Sequence, residues 1–194
     1  MRARFSASTG IMHPRNLFAA AQPDFAELAT AFPGLRPYLR RKGGGGRGRG
    51  RGGRVTLDFS RPEATRLLTE ALLARHFQLT VRIPPGHLVP TVPQKLNYIH
   101  WIEDLLSAGG ASSAAAQPAP AVHGIDIGTG PVAVYALLAL RLHPAWRLVA
   151  TEVDEGAVAH ARATAAKNGL ADRLEVVHNR DPASVLCGVL DEGG

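Results

Sequence analysis

The second half of the chain alternates short apolar runs with segments of helical period. The apolar runs at residues 122–127, 147–153 and 173–178 predict strands, and the segments between them, 131–142 and 155–167, predict helices. The first of these helices is apolar nearly all round, which is typical of a buried helix. Since right-handed crossovers join such strands in parallel, the pattern predicts half of a doubly wound α/β sheet.

The predicted sheet is incomplete. One more helix is expected from about Pro182 to Leu190, and no further strand follows in the sequence. Three strands make a poor complete sheet of this class, so we expect a domain that is truncated at its C-terminal side. Residues 122–194 are therefore interpreted as a partial Rossmann-like domain.

The first half of the chain predicts a smaller, mainly helical module over residues 23–106. Asp24 is placed to cap a short helix that Pro33 and Gly34 end, and a second short helix is expected over residues 35–41. These elements are too short to form a core by themselves, so we expect the module to depend on the longer segments that follow.

Three patterns describe the rest of this module. Ser60 and Glu63 form a capping box that predicts the start of a helix. Residues 77–83 alternate between apolar and polar side chains, which predicts a strand. A later helix carries Tyr98 and Trp101 on one face, and we interpret these aromatic residues as core packing.

Charge is distributed unevenly along the chain. The net charge is +6, but residues 1–54 hold 11 Lys/Arg and 2 Asp/Glu, whereas residues 55–194 hold 11 and 14. Residues 1–22 predict a flexible basic arm, and the Gly/Arg tract at 43–53 predicts a disordered insertion. A basic region favours a polyanionic partner such as nucleic acid, but a solvated arm and an inert linker fit equally well. Residues 107–121 are rich in Ala, Ser, Pro and Gly and predict a flexible linker.

Composition excludes several classes of protein. No apolar run approaches the roughly 20 residues of a membrane span, and the N-terminus has no clear signal peptide. The single Cys187 excludes an internal disulfide framework. We therefore expect a protein of a reducing compartment with no membrane partner and no disulfide-linked partner.

A glycine turn follows the first predicted strand of the sheet. Gly128 and Gly130 let the backbone turn tightly and approach a ligand closely, as in nucleotide-binding sites. Glu152 ends the next strand about 20 residues later, where a ribose-binding carboxylate is expected. The spacing Gly128-x-Gly130-x-x-Ala133 also fits an NAD-dependent oxidoreductase, so the turn by itself leaves the cofactor open.

Longer stretches of the sequence are more specific than this turn. They are Met12–Asn16, Pro23–Phe25, Leu88–Pro93, Leu96–Trp101, Gly124–Gly130 and Ala150–Asp154. Together they resemble the methyltransferase-like protein 16 family, whose members are RNA adenine-N6 methyltransferases that use S-adenosylmethionine. The resemblance covers about Met12 to Leu190. It implies a class I Rossmann-like methyltransferase fold with an N-terminal RNA-binding module, structured RNA as partner, and a nuclear and/or cytoplasmic location.

The same resemblance implies four cofactor-binding residues. Lys95 stands where the family has an Arg that contacts the cofactor, and a Lys keeps the charge but loses the planar fork. Gly128 matches the family's cofactor-binding glycine, and Glu152 matches the acid that accepts from the ribose hydroxyls. Ser184 aligns with a Thr near the adenine.

One family motif is missing from the sequence. The family's catalytic Asn-Pro-Pro-Phe should follow the next strand, where it holds the target amine and stacks on a flipped base, but the sequence contains no Asn-Pro-Pro. No residue is therefore assigned a catalytic role, and we expect a fragment or short isoform that is inactive alone. A non-catalytic RNA-binding module remains one alternative. The NAD-dependent oxidoreductase remains a second, although Asp126 and the wider resemblance argue against it.

Overall fold

The structure is a computed structural model, and it describes residues 12–41, 55–109, 121–181 and 183–186. The Gly/Arg tract at 43–53, most of the expected linker and most of the helix expected after Pro182 lie outside these residues. In chain order the elements are α1 (Phe25–Ala31), a 3-10 helix (Pro33–Tyr38), β1 (Leu39–Arg41), β2 (Val55–Leu57), α2 (Pro62–Phe77), α3 (Val92–Ala108), β3 (His123–Ile127), α4 (Val134–Leu142), β4 (Arg147–Glu152), α5 (Glu155–Lys167) and β5 (Leu174–His178).

Strands β3, β4 and β5 form a parallel sheet in that order. Ile125 lies opposite Val149, and Val149 lies opposite Glu175, so the three strands end at one common edge. Helices α4 and α5 make the two crossovers, and α4 is buried along most of its length. The prediction of a Rossmann-like α/β sheet is confirmed, with strand and helix bounds within a few residues of those expected.

Helix α5 has the start and end that its sequence encodes. The Asp154 side chain accepts from the Ala157 N–H at 2.6 Å and caps the first turn. At the other end Gly169 adopts a φ of +66°, and the Leu170 N–H donates to the Ala165 carbonyl at 3.0 Å. This is a Schellman ending, in which the glycine takes the left-handed conformation and the next apolar residue packs back on the helix.

The strand predicted over residues 77–83 is wrong. Phe77 belongs to α2, and the residues after it pair with no strand in the described chain. Side chains satisfy their backbone instead: the Asn168 amide bonds the N–H and C=O of Thr80 at 2.7 and 2.9 Å, and Glu70 accepts from the Ile83 N–H at 2.9 Å. The alternation does describe burial correctly. The buried positions are Leu79, Val81 and Ile83.

Two further predictions for the module are wrong. Ser60 does not cap α2, because the helix begins at Pro62 and the N-cap position is occupied by Arg61; the Ser60 hydroxyl donates instead to Asp58 at 2.5 Å. The helix expected over 35–41 ends early. Leu39 and the two residues after it form β1, whose partner β2 lies beyond the Gly/Arg tract.

Residues 12–18 form a strap across α3, although they were expected to belong to a flexible arm. Asn16 is only 3% exposed, and its amide donates to the Pro93 carbonyl at 2.8 Å and accepts from the Phe18 N–H at 3.0 Å. The Phe18 ring is buried against His76. A buried polar side chain with both bonding groups satisfied stabilises this irregular segment as secondary structure would.

Charged groups hold the strap as well. Arg15 donates to Asp104 at 2.6 Å and to the His100 carbonyl at 3.0 Å, and the His13 ring lies 2.7 Å from the second Asp104 oxygen. The hydrogen bond from His13 lowers the pKa of Asp104, with the charge of Arg15 acting in the same direction. The positive charge of Arg15 is therefore largely neutralised by the α3 carboxylates of Glu103 and Asp104.

One hydrophobic core runs through both halves of the chain, from Phe18 to Val176. Helix α3 connects the halves, because it packs against both α2 and α4. The module thus holds α3 in a fixed position beside the sheet. Among the described helices, none has the length and apolar character needed to cross a membrane.

Candidate functional site

The carboxyl ends of β3, β4 and β5 lie along one edge of the sheet. Gly128 follows β3, Glu152 ends β4, and Asn179 follows β5. In open parallel sheets this edge is where ligands bind. Gly128 and Glu152, two of the four residues predicted to bind the cofactor, therefore lie along the same edge of the sheet.

The glycine turn after β3 leaves open space at this edge. Gly128 and Gly130 have φ angles of +69° and +67°, and no atom lies within 4 Å of the position that a Cβ would take at either residue. The Thr129 N–H donates to the Thr151 carbonyl at 3.0 Å and ties the turn to β4. A side chain at Gly128 would be strained and would project into the open space that a ligand needs.

Glu152 shapes this turn as well as facing the site. Its carboxylate accepts from the Gly130 N–H at 2.8 Å, from the Val153 N–H at 2.8 Å and from the Asp154 N–H at 3.1 Å. A carboxylate offers about four lone-pair directions, so capacity for a further strong hydrogen bond remains. Glu152 can hold a hydroxyl of a ligand while it keeps the glycine turn in place.

Asp126 is a half-buried carboxyl just before the turn. Burial raises the pKa of Asp126 above its ordinary value, against the opposing effects of a 2.6 Å hydrogen bond from the Thr129 hydroxyl, a bond from the Ala136 N–H and the charge of Lys95. The site therefore contains an anionic group whose charge is destabilised by its surroundings, which is common at functional sites.

Lys95 approaches the turn from α3. Its half-buried ammonium donates to the Tyr135 hydroxyl at 3.0 Å and lies 4.4 Å from the centre of that ring. Within the described ranges it makes no ion pair with a carboxylate. Sequence reasoning identified Lys95 but missed Tyr135. The sequence feature that could have indicated Tyr135 is its polar hydroxyl, because Tyr135 and Arg141 are the two residues of the apolar helix α4 with a polar group on the side chain.

Ser184 lies in the loop after β5, and Asn179 connects it to the rest of the site. The buried Asn179 amide donates to the Ser184 carbonyl at 3.0 Å, while the Asn179 backbone N–H donates to the Glu152 carbonyl at 2.8 Å. Sequence reasoning missed Asn179. A polar residue at the carboxyl end of the third predicted strand was the available signal.

The aromatic residues of α3 are exposed, so their interpretation as core packing is wrong. Tyr98 is 45% exposed and Trp101 is 52% exposed. Helical spacing explains the difference, because α3 turns Val92, Leu96 and Ile99 toward the core and leaves the opposite stripe to solvent. With Tyr135 and the strap, these residues line an open cavity of about 580 Å³.

No group of His, Cys, Asp and Glu that could hold a metal ion occurs in the part of the chain that the structure describes. The site is instead made of a glycine turn, two carboxylates, a cation and an aromatic surface. This combination suits an organic ligand with a ribose and an anionic group.

Comparison with known proteins identifies a family. The profile of a family described as RNA methyltransferase matches residues 6–193. A U6 small nuclear RNA (adenine-(43)-N(6))-methyltransferase of Caenorhabditis elegans is 42% identical over 181 residues, which are 93% of this chain and 34% of that protein. The chain thus spans about a third of the length of this curated relative.

Two solved structures of human METTL16 are also similar. The N-terminal domain in complex with SAH matches 94% of this chain and 65% of its own length, at 37% identity and a TM-score of 0.78. The catalytic domain in complex with a MAT2A 3'UTR hairpin matches 89% of this chain and 55% of its own length, at 38% identity and a TM-score of 0.74. The likeness extends over the sheet and the module together, in agreement with the fold described above.

Proposed function

This chain belongs to the RNA methyltransferase family, and we propose that the complete protein transfers a methyl group from S-adenosylmethionine to N6 of an adenine in a structured RNA. The observation that carries the proposal is the link between Glu152 and the glycine turn at the carboxyl edge of the sheet. The human relative that was solved with SAH, the product of this cofactor, supports it.

The chain's own residues fit S-adenosylmethionine. The open space at Gly128 and Gly130 admits the nucleoside, and Glu152 has the capacity to accept from a ribose hydroxyl. Ser184 is the residue that the family resemblance assigns to the adenine. The ammonium of Lys95 provides a cation for the methionine carboxylate. When bound, the cofactor supplies an electrophilic methyl group, and these residues orient it.

Structured RNA is the proposed substrate. Residues 1–54 carry a net charge of +9, which attracts a polyanion before any specific contact forms. The solved complex of the human relative with an RNA hairpin supports this assignment. We place the protein in the nucleus and/or the cytoplasm, where structured RNAs occur.

For residues 1–194 alone we propose cofactor binding and RNA binding without methyl transfer. The sequence contains no Asn-Pro-Pro, the motif that the family uses for the target amine, and no described residue replaces it. A labelled-methyl assay on an RNA hairpin with an unpaired adenine tests this part. Turnover that is lost on Gly128→Asp would contradict it.

The cofactor is tested by thermal shift with S-adenosylhomocysteine and with NAD. We expect the melting temperature to rise with S-adenosylhomocysteine, because a ligand that binds only the native state stabilises it. NAD should produce no shift. A shift with NAD alone would overturn the methyltransferase proposal in favour of an oxidoreductase.

A further inference from the structure

Two exposed aromatic residues on the outward stripe of α3 form a continuous surface with the half-buried Tyr135 of α4. The rings of Tyr98 and Trp101 lie 5.8 Å apart, and the rings of Tyr98 and Tyr135 lie 5.2 Å apart with an interplanar angle of 63°. We call these three residues the aromatic shelf. Side chains of this size are normally buried, and a contiguous exposed group of them marks a binding surface.

The cavity above the aromatic shelf has the composition of a ligand site. Its apolar walls are accompanied by a few polar groups, namely the side chains of His13, Gln94 and Asn97. Small-molecule sites combine aromatic walls with a small number of amides or hydroxyls, in volumes of about 300–1,000 Å³. A planar, hydrogen-bonding group such as a nucleobase satisfies both features, since its faces stack on rings and its edges bond to amides.

The aromatic shelf is adjacent to the proposed cofactor site. Tyr135 belongs to both, because its ring lines the cavity while its hydroxyl accepts from Lys95. A group that rests on the shelf therefore lies beside the end of the site that we assign to the methionine part of the cofactor.

Charge favours a polyanion as the source of that group. His13 of the strap lines the cavity, and the 11 residues before Met12 include Arg2 and Arg4 but no acidic residue. Met12 and His13 of the strap, which line the cavity, follow directly on this basic segment in the sequence. An RNA strand combines phosphates, which basic charge attracts, with planar bases that can stack on the shelf.

We propose that the aromatic shelf stacks an unpaired nucleobase of the RNA. The choice of RNA rests on the proposed function, but the shelf itself rests on the exposed rings and the cavity. Base stacking on aromatic side chains is largely independent of sequence, so the shelf would position the strand without selecting a base. Trp101 and Tyr98 then act as positioning residues for the substrate.

Trp101 provides a direct reporter. The chain has two Trp residues, and the other, Trp146, is buried and stacked on His143. In a Trp146→Phe variant Trp101 is the sole indole, and its fluorescence should be quenched by a short adenine-containing RNA oligonucleotide. An abasic oligonucleotide of the same length, at the same salt concentration, should bind weakly and leave the fluorescence unchanged. Equal quenching by both would overturn the proposal.

Affinity measured by fluorescence anisotropy with a labelled oligonucleotide provides a test that does not depend on Trp146. Trp101→Ala should weaken binding by about tenfold, as expected for loss of one stacked base. Leu105→Ala is the matched control, since Leu105 is 53% exposed one turn further along α3 and does not line the cavity. Unchanged affinity in Trp101→Ala would overturn the proposal and leave the shelf to a protein segment.

Binding of S-adenosylhomocysteine by the same proteins separates the two proposals. If the unaltered chain binds S-adenosylhomocysteine but Trp101→Ala leaves RNA affinity unchanged, the shelf is wrong and the proposed function stands. If the unaltered chain does not bind S-adenosylhomocysteine, the proposed function is wrong, whatever the oligonucleotide does. Trp101→Ala should retain its affinity for S-adenosylhomocysteine.

Discussion

At the scale of the residue, Lys95 is the cation of the site that suits an anionic ligand. Its ammonium is half-buried beside the glycine turn and has a hydroxyl, not a carboxylate, as its hydrogen-bond partner. A cation in this position is stabilised when an anion binds next to it. The methionine carboxylate of the cofactor is the anion that the proposed function supplies.

The first prediction concerns that carboxylate. Lys95→Met should weaken the binding of S-adenosylhomocysteine by about tenfold or more, since a charge-assisted hydrogen bond is lost. The same substitution should leave the affinity for 5′-methylthioadenosine unchanged, because that nucleoside has no carboxylate. Calorimetry with both ligands makes the measurement, and Lys167→Met, which removes an exposed Lys of α5, is the control. Equal losses for the two ligands would show that Lys95 does not contact the carboxylate.

The second prediction concerns Asp126. Because burial raises its pKa in the native state, the native protein binds a proton there more readily than the unfolded chain does. The contribution of Asp126 to stability therefore falls as pH rises through the interval from its unfolded pKa to its raised native pKa. Asp126→Asn should remove this decrease and raise the melting temperature near neutral pH. Melting curves recorded across that interval would contradict the assignment if the two proteins changed in parallel.

The positions of site residues were predictable only where a motif indicates them, and their roles in binding the cofactor stay predictions. Gly128 and Glu152 follow from a strand, a glycine turn and an acid about 20 residues later, and Lys95 and Ser184 follow from the family resemblance. Tyr135 and Asn179 were missed because each acts through a partner distant in sequence. No local pattern indicates that a Tyr in an apolar helix faces a Lys 40 residues earlier.

At the scale of the element, side-chain hydrogen bonds hold the strap against α3. Asn16 replaces a regular hydrogen-bond ladder by bonding both the Pro93 carbonyl and the Phe18 N–H. The third prediction is that Asn16→Ala destabilises the protein by about 1–3 kcal/mol, because buried groups lose their partner. Urea unfolding makes the measurement. Leu17→Ala, at a neighbouring position that is 44% exposed, should change stability little, and equal effects of the two would contradict the role of Asn16.

Secondary-structure elements were predictable where the hydrophobic period and the capping residues indicate the same boundaries. The sheet and its two helices follow from local runs with clear caps, such as Asp154 and Gly169 around α5. The prediction of a strand failed at residues 78–83, because an alternating sequence indicates alternate burial and does not indicate that a neighbouring strand is present. Their partners are side chains of Glu70 and Asn168, which only the folded chain brings close.

At the scale of the whole molecule, the module and the sheet share one core, which includes Phe18, so the strap that follows residues 1–11 in the sequence is held in place relative to the sheet. The fourth prediction is that deletion of residues 1–11 weakens RNA binding and lowers its salt dependence. Loss of Arg2 and Arg4 should reduce the slope of log affinity against log salt by up to about 2, since each phosphate contact contributes about 0.7–0.9. A double variant that neutralises Arg66 and Lys167 instead is the charge-matched control. An unchanged slope after deletion would show that this segment does not contact phosphates.

The sheet also has an uncovered apolar face. Ile125, Ile127 and Val153 are exposed large hydrophobic residues on or beside β3 and β4. The sequence indicated this face, because three strands are few for a doubly wound sheet. Such a face promotes aggregation between copies of the chain, so binding measurements on residues 1–194 should be made at low protein concentration.

Glu152 is where the cofactor assignment is tested most directly. The Glu152 carboxylate accepts from the Gly130, Val153 and Asp154 N–H groups, so a substitution can affect binding through the ribose contact or through the glycine turn. The protein and the ligand must therefore be varied together. Calorimetry should compare S-adenosylhomocysteine with its 2′,3′-dideoxy analogue on the unaltered chain, on Glu152→Gln and on the control Glu175→Gln. We predict that removal of the hydroxyls weakens binding at least about tenfold in the unaltered chain and in Glu175→Gln, and has little further effect in Glu152→Gln. An equal loss in all three proteins would show that Glu152 does not hold the ribose and would contradict the cofactor site described here.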